Sequence, residues 1–445
     1  MKLKITLLLL FCAMFITNAQ MRKWTLEECV VYAVENNLTI EQSELDLETV
    51  KIEQKDAFGG LLPDLNGDAR ISENLGLSFN PTSQQPVSKQ LDYVGNLNSR
   101  WTLFDGLRNF RNLNRAKMNA IASQYRLDDL KDDIRLNVAN AYLQVLSNKE
   151  SLKVFEAQYA VTEQDRKRTK ELVESGVVPR GDLLEIEATA ASQEQQIVNG
   201  EAQVLISRVN LAQLLQITDY ENFDIADQSF EIPPSDILKN SPKVIFDKAL
   251  TFRNDIKLAE TNVDLAKEDI KIAKGAYYPT LTAFINYNTR YSDQNLNPID
   301  LTIRPFTEQL WRFDGTTYGF QLNVPFFNGW NTRNSVKRSK IELERTKLQL
   351  EQNKLELETN IQQAHVDVTT FSKAHEAAIK TLEARKLAYD YAKERFNVGL
   401  MNAFDFSQSQ ARVDNAEAEV IRTKYDYIFR LKILEFYFGI PISLN

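Results

Sequence analysis

Phe104-Asp105-Gly106 opens a helical run that closes at Ser175-Gly176-Val177-Val178-Pro179-Arg180-Gly181-Asp182, and a second copy follows the stretch from Phe104 to Ile217. Phe104-Asp105-Gly106 returns as Phe327-Asn328-Gly329, Gly176 as Gly399, Asp182 as Asp405 and Ile217 as Ile440, all at one offset without insertion or deletion. One structural unit is written twice. Each copy holds a run of about 66 residues (Asn109 to Glu174; Thr332 to Asn397) free of Pro and Gly. At about 1.5 Å per residue such a helix is roughly 100 Å long, too long for a compact domain.

Working outward, Trp24-Thr25-Leu26-Glu27-Glu28 reads as a helix start with a Thr25/Glu28 capping box, and the helix is expected to continue to about Phe58. Leu65, Gly67, Ala69 and Ile71 then alternate with Asn66, Asp68, Arg70 and Ser72, a strand of period two. A loop from Asn80 to Lys89 with Pro81 and Pro86 is expected before a second such strand, in which Leu91, Tyr93, Gly95, Leu97, Ser99, Trp101 and Leu103 oppose Asn96, Asn98, Arg100 and Thr102. Along the first long helix Leu127, Leu130, Ile134, Val138, Ala141, Val145, Leu152, Phe155 and Tyr159 follow a 3,4 spacing with one extra four-step, a coiled-coil seam with a stutter. A partner helix of about 34 residues returns to Leu215.

Residues 218–242 are acidic and irregular, with Pro233-Pro234, and read as a collar beside the helices. Lys243 to Ala276 is helical again. Two more amphipathic strands follow, through Leu281 to Tyr291 and Tyr318 to Phe326, with Pro325 expected at the strand's end or on a bulge. The expected organisation is a signal at 1–19, a first repeat at 20–217, the irregular segment at 218–242 and a second repeat at 243–445. The first and last helices of each half together match the uninterrupted one in length. Two short helices stacked end to end lie alongside one long helix.

Lys2 and Lys4, the apolar run from Leu7 to Ile16 and Thr17-Asn18-Ala19 have the layout of a cleavable secretory signal, so the mature chain is expected from Gln20. Cys12 lacks the small neighbours of a lipid-attachment site, and only Cys29 remains after cleavage, so no internal disulfide is expected. Acids outnumber bases, 61 to 53, and the formal charge of −8 becomes −10 once Lys2 and Lys4 are removed. Nucleic acid is a poor partner for such a chain. No segment of the mature chain has the roughly 18 consecutive apolar residues of a spanning helix, so any membrane crossing falls to strands.

Four strands with one apolar and one polar face have the alternation of an outer-membrane barrel, and the polar face must meet water. Four strands do not close, and an open edge in lipid leaves backbone groups unpaired at several kcal/mol each, so chains must pool their strands. Two chains give a barrel filled by its own side chains, whereas three give a lumen, which the polar inner face favours. Trp101, Phe104, Tyr277, Tyr278, Phe326, Phe327 and Trp330 cluster at the helix-side strand ends in both halves and are candidate membrane-interface aromatics.

The chain resembles the TolC-like outer-membrane efflux proteins, or outer membrane factors, over essentially its whole mature length. The resemblance rests on the duplication, on Leu322-Asn323-Val324-Pro325-Phe326-Phe327-Asn328-Gly329 and on Arg395-Phe396-Asn397-Val398-Gly399-Leu400. It implies an α+β membrane protein. Long helical hairpins form a periplasmic tunnel, and four strands per chain are pooled into a trimeric outer-membrane β-barrel. It also implies a tip that docks a periplasmic adaptor and, through it, an inner-membrane transporter, with passive conduction from these to the outside. Type I protein secretion is the nearest alternative, and a periplasmic coiled-coil adaptor or structural protein without a barrel is the other.

Gly176, Val177, Val178, Gly399, Leu400 and Met401 match the family's docking tip. The glycines are equally accounted for by the reversal of a hairpin, whereas exposed apolar neighbours suggest a partner surface. Asp405, with Asp182 as its repeat mate, matches the aspartates that ring the family's closed tunnel entrance; alone, each also reads as a helix N-terminal acid. Gln408 stands where the best known member has a second aspartate, and Met401 where it has a basic latch. Glu185 is a candidate replacement charge and reads equally as a solvated helix acid. His365 and His375 read as separate surface positions, about 1000° apart on a helix, not a metal pair. No phosphate loop, nucleophile elbow or Cys pair points to an enzyme, a cofactor or a metal.

Overall fold

The computed structural model describes residues 23–80, 85–227, 231–297, 299–300 and 302–441. The expected signal and the centre of the expected Asn80 to Lys89 loop, Pro81 included, lie outside these. The elements in order are β1 (Lys23–Trp24), α1 (Leu26–Asn36), α2 (Leu38–Gly59), β2 (Asp64–Asn80), β3 (Gln85–Phe104), α3 (Arg108–Glu174), α4 (Arg180–Leu214), β4 (Asp224–Ile225), α5 (Pro242–Phe252), α6 (Asn254–Gly275), β5 (Thr280–Ser292), α7 (Phe306–Arg312), β6 (Gly315–Asn323), α8 (Asn331–Asn397) and α9 (Ala403–Tyr437). Helix lengths of 11, 22, 67 and 35 residues occur in that order in both halves.

Each expected first helix is in fact two. The first breaks at Asn37, where the backbone is extended (ψ 122°) and the side-chain Oδ1 accepts from Thr39 N at 2.9 Å, capping the next helix. The other breaks at the equivalent Arg253 (ψ 129°), whose guanidinium bonds both Asp255 carboxylate oxygens at 3.1 Å. The capping box at the start of α1 is present: Glu28 N donates to Thr25 Oγ1 and Thr25 N to Glu28 Oε2.

Two compact units divide the chain, and all four boundaries fall within helices. One unit contains residues 1–44, 126–256 and 352–445 and holds two apolar cores. In the first, Leu26, Cys29 and Ala33 of α1 meet Leu211 and Leu215 at the end of α4 over Val138, Tyr142 and Leu146 of α3. In the second, Ile245 and Ala249 of α5 meet Leu431 and Leu434 of α9 over Leu357, Ile361 and Val368 of α8. Both place the junction of two short helices against the middle of a long one.

The seam in α3 is broader than the 3,4 spacing indicates. Tyr142 and Leu146, outside that series, are buried because the β1 and β4 segments cover them, and Tyr142 donates its hydroxyl to Trp24 O at 3.2 Å. The irregular segment joins this core through a parallel β1–β4 pairing, Lys23 with Asp224 and Trp24 with Ile225. Burial raises the Cys29 thiol to about 12, leaving it inert. His375 is buried too, against the expectation of a surface position: it is 8% exposed, and its Nδ1 lies 3.2 Å from Thr423 Oγ1, a partner on α9 that one helix's periodicity does not reveal.

The other unit, 45–125 and 257–351, carries an antiparallel sheet in the order β2-β3-β5-β6. The strands have 17, 20, 13 and 9 residues rather than a uniform 10 to 13. β2 and β3 consume most of the expected loop, and Pro86 pairs with Phe79 near the hairpin end, where its missing donor is tolerated. β6 stops at Asn323, two residues before Pro325. The strand-to-helix turns repeat: Gly106 and Leu107 have φ of 74° and 66°, Gly329 and Trp330 of 62° and 67°.

Candidate functional site

The hairpin tips come first. α3 and α8 both end in a turn whose glycine has a left-handed backbone, Gly176 at φ 75° and Gly399 at 76°. Val177 N donates to Leu172 O and Gly176 N to Val173 O; Leu400 N donates to Arg395 O and Gly399 N to Phe396 O. This is the six-to-one and five-to-two bonding that satisfies the last helical carbonyls. It leaves Val177 and Leu400 68% and 70% exposed, whereas Val178 and Met401 are half-buried.

The structure brings the two tips together. Val177, Val178, Asp182, Gly399, Leu400 and Met401 line one groove of about 720 Å³. Glu185 and Gln408 share a second, of about 360 Å³, with Asp414. Asp405 lines neither groove; it is exposed in the first turn of α9, its N–H bonded to Asn402 Oδ1 at 2.8 Å and its carboxylate accepting from Asn402 Nδ2 at 3.0 Å. Asp182 has no such partner, because Pro179 stands at the N-cap of α4. The two repeat mates therefore differ locally.

Several tip residues escape a reading by motif. Arg168 on α3 donates to Asn397 Oδ1 on α8 at 2.8 Å. Gln410 on α9 donates to Thr162 Oγ1 on α3 at 2.7 Å, and Gln193 on α4 donates to Asp414 Oδ2 on α9 at 2.9 Å. Burial raises the Asp414 carboxyl to about 6. Phe396 of the quoted motif stacks on Phe406 with centroids 4.6 Å apart and planes 3° from parallel, and Tyr389 stacks on the same ring. The sequence signal for two of them is helical spacing: Gln193 lies three residues after Ala190, and Gln410 four after Phe406 and three before Val413, all buried.

The strands come next. The register aligns Asn66, Asn98, Asn286 and Thr317 in one rung, and Leu65, Ser99, Ile285 and Tyr318 in the adjacent one. Side chains of adjacent rungs point to opposite faces. One face therefore carries Asp68, Arg70, Asn96, Arg100, Asn288 and Gln321, and Asn286 Nδ2 bonds Asn98 Oδ1 across it. The other carries large apolar side chains that are exposed, among them Leu65 (69%), Ile71 (74%) and Phe320 (75%). β2 and β6 form the two edges.

Phe104, Tyr277, Tyr278, Phe326, Phe327 and Trp330 sit at or beyond the sheet end marked by the Phe104–Leu281 and Thr280–Asn323 pairs, Trp101 lies two pairs inside it opposite Ala283, and all are exposed. Trp101 donates its indole N–H to Leu61 O at 2.9 Å, so an apolar ring and a satisfied donor coexist there. Among the described residues no group of His, Cys, Asp and Glu is arranged to hold a metal ion, and no helix is long and apolar enough to cross a membrane.

The chain is similar to known proteins at both levels. It is 22% identical over 371 residues to the outer membrane protein TolC of Vibrio cholerae, covering 83% of this chain and 80% of the relative. It is also 22% identical over 407 residues to the probable efflux pump outer membrane protein TtgC of Pseudomonas putida, covering 89% and 79%. Its fold matches that of the Campylobacter jejuni CmeC outer membrane channel with a TM-score of 0.78 at 18% identity, over 93% of this chain and 85% of the other. Because the outer membrane efflux protein pattern matches residues 30–215 and 245–439, once in each repeat, this chain belongs to that family of outer-membrane channels.

Proposed function

We propose that three copies of this chain pool their strands into one outer-membrane barrel and line a periplasmic tunnel with their helical hairpins. The assembly conducts substrates passively, from a periplasmic adaptor and an inner-membrane transporter to the outside. The observation that carries this reading is the four-stranded sheet, polar on one face, apolar on the other and open at both edges. Such a sheet is stable in lipid only when its edges find partners and its polar face finds water.

In this reading the grooved tips, with Val177, Val178, Leu400 and Met401 beside Gly176 and Gly399, form the adaptor-docking surface. Asp182 and Asp405, with Glu185 nearby and a neutral Gln408, ring the entrance. Three chains place six carboxylates around one aperture and raise the local cation concentration. The seven aromatics lie at the periplasmic membrane interface. The adaptor and transporter supply specificity and energy, and this chain supplies the conduit.

The test is purification from outer membranes in detergent followed by planar-bilayer recording. The expected result is a trimer that forms ohmic pores, and a strain lacking the chain that accumulates small toxic compounds. Recovery as a soluble monomer without conductance rejects the channel. Loss of protein export with unchanged small-molecule accumulation assigns the conduit to secretion instead.

A further inference from the structure

β2 has 17 residues and β6 has nine, yet in a pooled barrel β6 of one chain must run beside β2 of the next, because these are the sheet's two edges. Eight β2 positions therefore have no β6 residue to pair with. The shortfall lies near the β2–β3 hairpin, since β6 begins at Gly315, opposite Asn288, while β5 runs on to Ser292.

Within one chain α7 fills the corresponding gap beside β5. Gln309, fully buried, accepts from Ser292 N and donates to Ser292 O, both at 3.0 Å, so its side-chain amide replaces a missing strand rung. Thr289 Oγ1 donates to Leu310 O at 2.6 Å, and the Phe306 ring packs against Tyr93 and Tyr291 at 5.6 and 5.1 Å. α7 thus closes the edge of β5 beyond the end of β6 through Gln309, while Phe306 at its start lies over the apolar face of β3 and β5. Trp311, two residues and so about 200° of helical rotation from Gln309, points away from β5 and is 78% exposed. On the apolar face of β2, Ile71 and Leu75 are 74% and 75% exposed.

We propose that the Trp311 side of α7 packs against the hairpin end of β2 in a second copy of this chain. It closes the seam between subunits where β6 is too short to do so. This rests on the pooled-barrel reading above. The contact continues the β6–β2 edge pairing that reading requires, and it shields strand backbone that would otherwise meet lipid unpaired.

The test pairs Trp311→Cys with Ile71→Cys, Leu75→Cys or Leu77→Cys in the full chain, inserted in membranes and oxidised; buried Cys29 does not compete. Covalent dimers and trimers are expected from at least one pair and not from Trp311→Cys with Leu65→Cys, at the other end of β2. In parallel, Trp311→Ser is expected to lower the temperature at which detergent-solubilised trimers dissociate, while Ile299→Ser leaves it unchanged. Absence of cross-links from all three pairs, with unchanged dissociation in Trp311→Ser and strong quenching by brominated lipid of a dye attached to Trp311→Cys, assigns this face to lipid and overturns the proposal. Failure of the unmodified chain to form trimers rejects the barrel reading itself.

Discussion

Gln193 on α4 and Asp414 on α9 are joined by a 2.9 Å hydrogen bond between two buried side chains, linking a return helix of the first repeat to that of the second. Burial holds the Asp414 carboxyl at about 6, above its value in an unfolded chain, so the cost of its charge is full above about pH 6 and is relieved as pH falls toward about 4. Asp414→Asn is expected to stabilise the helical unit near pH 7.5 by up to about 3 kcal/mol and to flatten its pH dependence between about 4 and 6. Thermal unfolding in detergent across that range measures it; parallel wild-type and variant curves reject it.

The duplicated glycines at the strand-to-helix turns are predicted to behave differently. A Cβ at Gly106 would lie 2.2 Å from Gly275 O, whereas one at Gly329 meets nothing within 4 Å. Gly329→Ala then costs about 1 to 2 kcal/mol for its positive φ alone, while Gly106→Ala also forces the Gly275 backbone aside and is expected to abolish trimers. The yield of detergent-stable trimer distinguishes them, and equal yields contradict the geometry.

At the tip, Leu400 offers a cleaner probe of docking than Gly399, whose φ of 76° strains any larger residue. Leu400→Glu is expected to block adaptor-dependent export with trimers and pore conductance intact, because Leu400 is 70% exposed and supports no core. Wild-type export by this variant removes Leu400 from the docking surface.

The acids at the tip separate into charge and cap by two variants. Asn402→Ala is expected to cost about 1 kcal/mol at the start of α9, read by faster amide hydrogen exchange there, without changing ion selectivity. Asp182→Asn with Asp405→Asn is expected to lower cation over anion permeability of the reconstituted pore. Unchanged reversal potentials assign both aspartates to their helix N-termini, Asp182 as a first-turn acid and Asp405 as the partner of Asn402.

Much of this architecture was legible because long helices and amphipathic strands announce themselves by local period. Gly176 and Gly399 fall at left-handed turns that L side chains resist, so their spacing located the tips. The breaks at Asn37 and Arg253 were hidden because each depends on a partner distant in sequence as well as on its immediate neighbours. Asn37 Nδ2 reaches Leu214 O at 3.3 Å, and Arg253 lies 3.6 Å from Asp129. The burial of His375 had the same cause. Gln216 shows the limit of residue identity: it takes φ 59° where its repeat mate Gly439 takes 85°, so a non-glycine residue is held in the glycine conformation by the same helix-end hydrogen bonds.

The sequence by itself determined the duplication, the lengths of the long helices and of their returns, the two-faced strands and the positions of both tips, since each follows from spacing along one chain. Tertiary structure alone decided that the two tips share a groove, that Gln193 bonds Asp414 and that Gln309 closes the edge of β5. These depend on which side chains meet across elements distant in sequence. Hydrogen bonding is satisfied by geometry, and local period carries no record of it.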